Sequence, residues 1–310
     1  MKLKSHSIKS NTLLLLCCFC TSSILALNVK TETFFSPSVQ LNLKYTVILP
    51  ANYAKKKDKK YAVVYLLHGF TGDHQSWIGI VHFNKKFATK YNCILVIPDA
   101  GNTWFVNWTG QTDGKPHQWA DMITIDLRKD LETKYRTLNT KEHRAIGGFS
   151  MGGFGALSIG LNNPDLFGFV FSSSGAVNFC QNIKSNFGNR DGYGNNTDKW
   201  KGDDKTVDCK GFSNYAERTP KGRVCKTTDD VDKADPYWLL DQLDPDTMPY
   251  VHIDCGTEDY FTKDNDQFVA KLKALTPNYN YYTTKGIHDG KYTKKVIGNT
   301  FKIMSKQGVF

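Results

Sequence analysis

The residues Gly148-Phe149-Ser150-Met151-Gly152 follow a strand-like run, Arg144 to Ile146, and open the small, apolar, helix-like stretch Phe154 to Leu161. This is G-x-S-x-G on a strand-to-helix turn. It suits a nucleophilic serine, because the flanking glycines let the backbone turn sharply and hold the hydroxyl out at the bend. No lysine follows the glycines and the order is not G-x-G-x-x-G, which excludes the common phosphate-cradling loops. A serine hydroxyl is a weak nucleophile at its free pKa, so it needs a base that a third group orients.

Two later segments offer those partners in the chain order serine, acid, histidine. The apolar run Tyr250 to Cys255 leads into Gly256-Thr257-Glu258-Asp259-Tyr260, which places Asp259 just past the carboxyl end of a strand, where sites of open α/β sheets gather. Gly286-Ile287-His288-Asp289-Gly290 ends a weaker strand and offers His288. Asp254 and His252 compete from within a strand, and Glu258 and Asp289 compete as neighbours of Asp259 and His288. Asp259 is the expected acid and His288 the expected base. Acyl chemistry also needs donors for an oxyanion. The backbone N–H of Met151, next after the serine, is one. The other is expected from Phe70 in Leu66-Leu67-His68-Gly69-Phe70-Thr71-Gly72, which follows a buried strand; His68 in that loop is read as structural.

The elements that must position these groups alternate along the chain. Strand-like runs lie at Leu41 to Leu49, Tyr61 to Leu67, Cys93 to Ile97, Arg144 to Phe149, Phe167 to Ser172, Tyr250 to Cys255 and Asn280 to Thr284. Several are apolar throughout, as in strands buried on both faces of a mostly parallel sheet. Helical patterns fall at Trp119 to Tyr135, Phe154 to Leu161 and Asn265 to Leu275. The repetition predicts an α/β fold with helices on both faces of the sheet. Residues 27–310 are read as one such domain, interrupted by an insertion at about 178–235 that is rich in Gly, Asn, Asp and Lys and carries no clear periodicity.

Composition bounds the rest. The chain has 310 residues, 40% of them hydrophobic, which excludes a disordered or collagen-like protein. Lys2, Lys4 and Lys9 precede an apolar run from Leu13 to Cys20, the pattern of a secretory leader with removal expected near Ala26. The expected product is a secreted or periplasmic protein with no membrane insertion after leader removal. Loss of residues 1–26 leaves 37 basic and 30 acidic residues, a net charge of +7. The densest basic run, Lys55 to Lys60, has no interleaved aromatics and reads as a solvated turn, so no nucleic-acid partner is expected. Of the five remaining cysteines, Cys93 and Cys255 read as buried thiols, and Cys209 with Cys225 is the expected disulfide.

Taken with Trp77, Val96-Ile97-Pro98-Asp99, Trp104-Phe105 and Ile253-Asp254-Cys255-Gly256, these motifs resemble an esterase family of α/β-hydrolases that holds tributyrin esterases, esterase D (S-formylglutathione hydrolase), feruloyl esterases and mycobacterial mycolyltransferases. The resemblance spans about Leu41 to Lys306. It is nearest the tributyrin esterases in the spacing from His68 to Trp77 and departs from esterase D, whose early loop carries a Thr-Cys pair that Phe70-Thr71-Gly72 lacks. The resemblance implies an α/β-hydrolase fold, a triad on Ser150, Asp259 and His288, oxyanion donors at Phe70 and Met151, a small-molecule ester as substrate, and neither metal nor organic cofactor. Hydrolysis of short-chain acyl esters is the expected activity. The alternatives are acyl transfer to another alcohol and a non-catalytic binding protein on the same fold.

Overall fold

The apolar runs of the sequence become the middle of a sheet. A computed structural model describes residues 28–82, 86–111, 113–185, 220 and 222–310. The expected leader lies outside these residues, as does most of the 178–235 segment. The described strands are β1 (Val29–Ser36), β2 (Leu41–Ile48), β3 (Val63–Leu67), β4 (Ile94–Pro98), β5 (Gly110–Gln111), β6 (Arg144–Phe149), β7 (Phe169–Ser173), β8 (Gly222–Arg223), β9 (Tyr250–Gly256) and β10 (Tyr279–Thr284). Eight form one sheet in the order β1-β2-β4-β3-β6-β7-β9-β10, while β5 and β8 pair separately. β2 is antiparallel to β1 and to β4, and every other neighbour in the large sheet is parallel. All residues of β3, β4 and β7 are buried, as strands covered on both faces must be.

The helices are α1 (Ile78–Val81), α2 (Phe87–Tyr91), α3 (Trp119–Asp121), α4 (Arg128–Lys134), α5 (Met151–Asn162), α6 (Phe179–Ser185), α7 (Thr228–Ala234), α8 (Pro236–Gln242), α9 (Thr262–Leu275) and α10 (Gly290–Lys306). Alternate side chains of β3 feed two separate cores. Val63, Tyr65 and Leu67 pack with Phe154 of α5 and Phe268 of α9. Val64 and Leu66 pack with Val81 of α1, Phe87 of α2 and Phe301 of α10. The period of two in the strand thus places helices on both faces, as the sequence predicts.

Three local features differ from the sequence reading. β1 adds an edge strand before the first expected one. The helix expected over Trp119 to Tyr135 contains a π turn, Met122–Leu127, between α3 and α4. The ends of the 178–235 segment form α6 and α7, helices of seven residues each, too short for periodicity to betray. Cys93, Cys180, Cys225 and Cys255 are buried free thiols; of the expected Cys209–Cys225 disulfide, Cys209 lies outside the described residues. Among the described residues no helix is long and apolar enough to cross a membrane.

Candidate active site

Ser150 stands between β6 and α5, at the amino-terminal cap of the helix, with φ 57° and ψ −119°. A side-chain-bearing residue there is strained. The turn is packed too closely for a side chain two residues to either side, at Gly148 and Gly152. A Cβ on Gly152 would lie 2.3 Å from the Leu67 carbonyl oxygen, and one on Gly148 would lie 2.5 Å from the Gly152 backbone. The glycines of G-x-S-x-G therefore let β3, β6 and α5 meet at one point and leave the Ser150 hydroxyl at the carboxyl edge of the sheet.

Asp259 and His288 arrive from the loops after β9 and β10. These loops are tied together by the Glu258 N–H, which donates to the Gly286 carbonyl at 3.0 Å. His288 Nδ1 is 2.9 Å from Asp259 Oδ2, and His288 Nε2 is 2.9 Å from Ser150 Oγ. Burial alone would raise Asp259, but hydrogen bonds from His288 and from the Phe261 N–H outweigh it and hold the carboxyl below its usual range. An ionised Asp259 can only accept, so Nδ1 carries the ring proton and Nε2 is left to accept from the Ser150 hydroxyl. The arrangement can draw a proton from serine as the oxygen attacks.

The loop expected to donate to an oxyanion runs beside the same serine. A Cβ on Gly69 would be 3.5 Å from Ser150 Cβ, so Phe70 follows directly after the point of contact. Thr71, at φ 66°, donates its N–H to Asn102 Oδ1 at 2.8 Å. His68 is buried, with Nδ1 2.8 Å from the Gly69 carbonyl and Nε2 3.3 Å from the Ala100 N–H. Its ring bridges two loops and is fully engaged there, the structural part expected of it. Met151 is the first residue of α5, so its N–H is among those a helix leaves without an intrahelical partner.

The family described as Putative esterase matches residues 36–294. The chain belongs to this family. It is a carboxylic ester hydrolase on an α/β-hydrolase fold. An acetyl esterase of Caldicellulosiruptor saccharolyticus is 24% identical over 281 residues, covering 88% of this chain and 96% of the relative. Among solved structures, a fluorophosphonate-binding serine hydrolase of Staphylococcus aureus superposes with a TM-score of 0.68 at 22% identity, covering 89% of this chain and 97% of its own. An S-formylglutathione hydrolase from Agrobacterium tumefaciens reaches 0.71 at 14% identity, covering 90% and 95%.

In this esterase the competing residues are engaged elsewhere. Glu258 faces solvent and pairs with Lys285 at 3.5 Å. Asp289 caps α10 by accepting from the Tyr292 N–H at 2.8 Å. His252 and Asp254 are buried within β9. What the sequence reading missed is the surround of His288. Phe149, Tyr260 and Phe261 have ring centroids 4.7, 4.4 and 5.2 Å from the imidazole. Each lies within two residues of Ser150 or Asp259 in sequence, which was the available signal. Tyr260 is 70% exposed and Ile287 54%, giving the mouth of the site an apolar rim.

Proposed function

We propose that this esterase hydrolyses short-chain acyl esters through a covalent acyl-enzyme on Ser150. His288 takes the Ser150 proton as Oγ attacks the ester carbonyl, returns it to the leaving alcohol, and then activates water for deacylation. Asp259 fixes the imidazole tautomer and stabilises the imidazolium. The N–H groups of Phe70 and Met151 hold the oxyanion. The observation that carries the reading is the pair of 2.9 Å contacts that set Ser150, His288 and Asp259 in one line.

The short acyl group is supported by the cavity beside Phe149. Its volume is 230 Å³, with Phe70, Thr71, Trp77, Ile80 and Gly290 in its walls. Pockets for drug-sized ligands run about 300–1,000 Å³, so this one suits a small, mostly apolar group. The relative named an acetyl esterase agrees with that size. Residues 1–26 act in this reading as an export leader, and amino-terminal sequencing of the exported protein should begin at Leu27.

The test is a series of p-nitrophenyl esters of increasing acyl length, with Ser150→Ala alongside. The rate should fall with chain length, and Ser150→Ala should lose activity and fluorophosphonate labelling together. A variant within about tenfold of the parent would overturn the assignment, since loss of such a nucleophile costs about 10⁶-fold elsewhere.

A further inference from the structure

Ser150 is held by its backbone as well as by its turn. Its N–H donates to the Ser173 carbonyl at 3.0 Å, and its carbonyl accepts from the Ala176 N–H at 3.2 Å. The segment 173–176 thus grips both sides of the serine. Ser174 within it has φ 47°, a strained value for a residue with a side chain. Something must hold this segment in place.

Two buried side chains outside the proposed triad do so. Asp254 on β9 accepts from the Ser173 hydroxyl at 2.6 Å, in a buried pair. Its backbone carbonyl accepts from the Ser174 N–H at 2.7 Å. The strand register places Ser173 between Phe149 on one side and Asp254 on the other. Asn265, fully buried on α9, donates from Nδ2 to the Gly175 carbonyl and to the Phe261 carbonyl, each at 2.9 Å. Phe261 in turn donates its N–H to Asp259 Oδ1 at 2.8 Å. A continuous set of bonds therefore links the backbone of Ser150 to the carboxylate that holds His288.

We propose that Asp254 and Asn265 are positioning residues for ester hydrolysis, fixing Ser150 relative to Asp259 and His288 through the turn Ser173–Ala176. The inference rests on the triad reading. The two buried polar groups touch neither the ester nor the reacting atoms, and they act only by setting where those atoms stand. A displacement of about 1 Å at a reacting centre can cost on the order of 10²-fold, while substrate binding at the apolar mouth is left as it was.

The test measures kcat and KM for p-nitrophenyl acetate on the full chain, with kcat counted per site labelled by a fluorophosphonate. Ser173→Ala, Asp254→Ala and Asn265→Ala should each lower kcat per labelled site by about tenfold or more with KM moving less than about threefold. Asp254→Asn, whose amide oxygen can still accept from Ser173, should recover most of the loss seen in Asp254→Ala. A purely structural role would reduce the labelled fraction and leave kcat per labelled site at the parent value, which overturns the proposal. If Ser173→Ala or Asp254→Ala does not accumulate, Asn265→Ala decides by the same criterion, being on a different element. Ser150→Ala separates the two readings: if it still labels and turns over, the triad assignment fails, whatever the positioning variants do.

Discussion

At the scale of single residues, the acid is where sequence neighbours compete and geometry separates them. Asp259 and Glu258 are adjacent carboxylates after the same strand, yet one is buried against His288 and the other faces water beside Lys285. Asp259→Asn can present an N–H where His288 Nδ1 needs an acceptor and so favours the wrong tautomer. Its kcat should drop steeply, toward the ~10⁴-fold lost in the serine-protease case. Glu258→Gln removes one exposed ion pair, of a kind worth about 1 kcal/mol or less, and should stay within a few-fold of the parent. Steady-state rates on one ester for both variants check this, and a steep loss in Glu258→Gln with a mild one in Asp259→Asn would reverse the acid. Ser150, Asp259 and His288, which stand within hydrogen-bond distance of one another, were legible as candidates because the proposed chemistry demands particular residue types at strand ends. Asn102, Ser173 and Asn265 were not. A small polar residue marked only by one or two buried hydrogen bonds looks, in sequence, like any other strand, loop or helix polar residue.

At the scale of elements, the legible part was what burial imposes. β3, β4 and β7 are covered on both faces, so their apolar runs announced them, and the registers that bring β6, β7 and β9 together follow from a parallel sheet. β1, at an edge, buries only Phe34 and Ser36 among exposed and half-buried positions and gives a weaker signal. The π turn has a physical rationale in the pattern itself. Ile123, Leu127, Leu131 and Tyr135 recur every four residues, and on a helix of 3.6 residues per turn such a row drifts by about 40° per step. One wider turn offsets part of that drift and keeps the row against the core, where Ile123, Leu127 and Leu131 are buried. The turn at Ser150 makes a sharper demand. In Gly152→Ala the new methyl must displace the Leu67 carbonyl, which also accepts from the Trp77 indole at 2.9 Å. Overpacking of this kind costs about 1–3 kcal/mol, and the shift falls on the segment that leads to Phe70. Urea unfolding should show that loss and kcat should fall with it; a variant of parental stability would mean the strand and helix are not pressed together there.

At the scale of the whole molecule, two buried ionisable groups of β9 should shape how stability depends on pH. Burial raises Asp254 to about 7, against the lowering effect of Ser173 and Tyr292, and burial lowers His252 to about 4. The carboxyl faces the Ser173 hydroxyl from β7, the Tyr292 hydroxyl from α10 and His252 Nε2 at 3.6 Å, with Cys255 and Tyr281 nearby; His252 Nδ1 contacts Asn280 Oδ1 at 3.0 Å. Between the ordinary carboxylate value of about 3.9 and pH 7, the folded chain keeps a proton on Asp254 that the unfolded chain has released, so stability falls as pH rises. Between pH 4 and the ordinary imidazole value of about 6.5, the unfolded chain carries a proton on His252 that the folded chain refuses, so stability rises with pH. The two slopes oppose each other across most of this window and largely cancel in the parent. Asp254→Asn removes the falling slope and exposes the rising one: from pH 4.5 to 6.5 its Tm should climb by a few degrees more than that of the parent. His252→Asn should do the reverse. Carboxylates held low by hydrogen bonds, Asp259 among them, add the same rising slope to all three proteins and drop out of the difference. Parallel Tm profiles for parent and Asp254→Asn would show that Asp254 is ionised in the folded chain throughout this range, with the Ser173 hydroxyl bonded to a full negative charge.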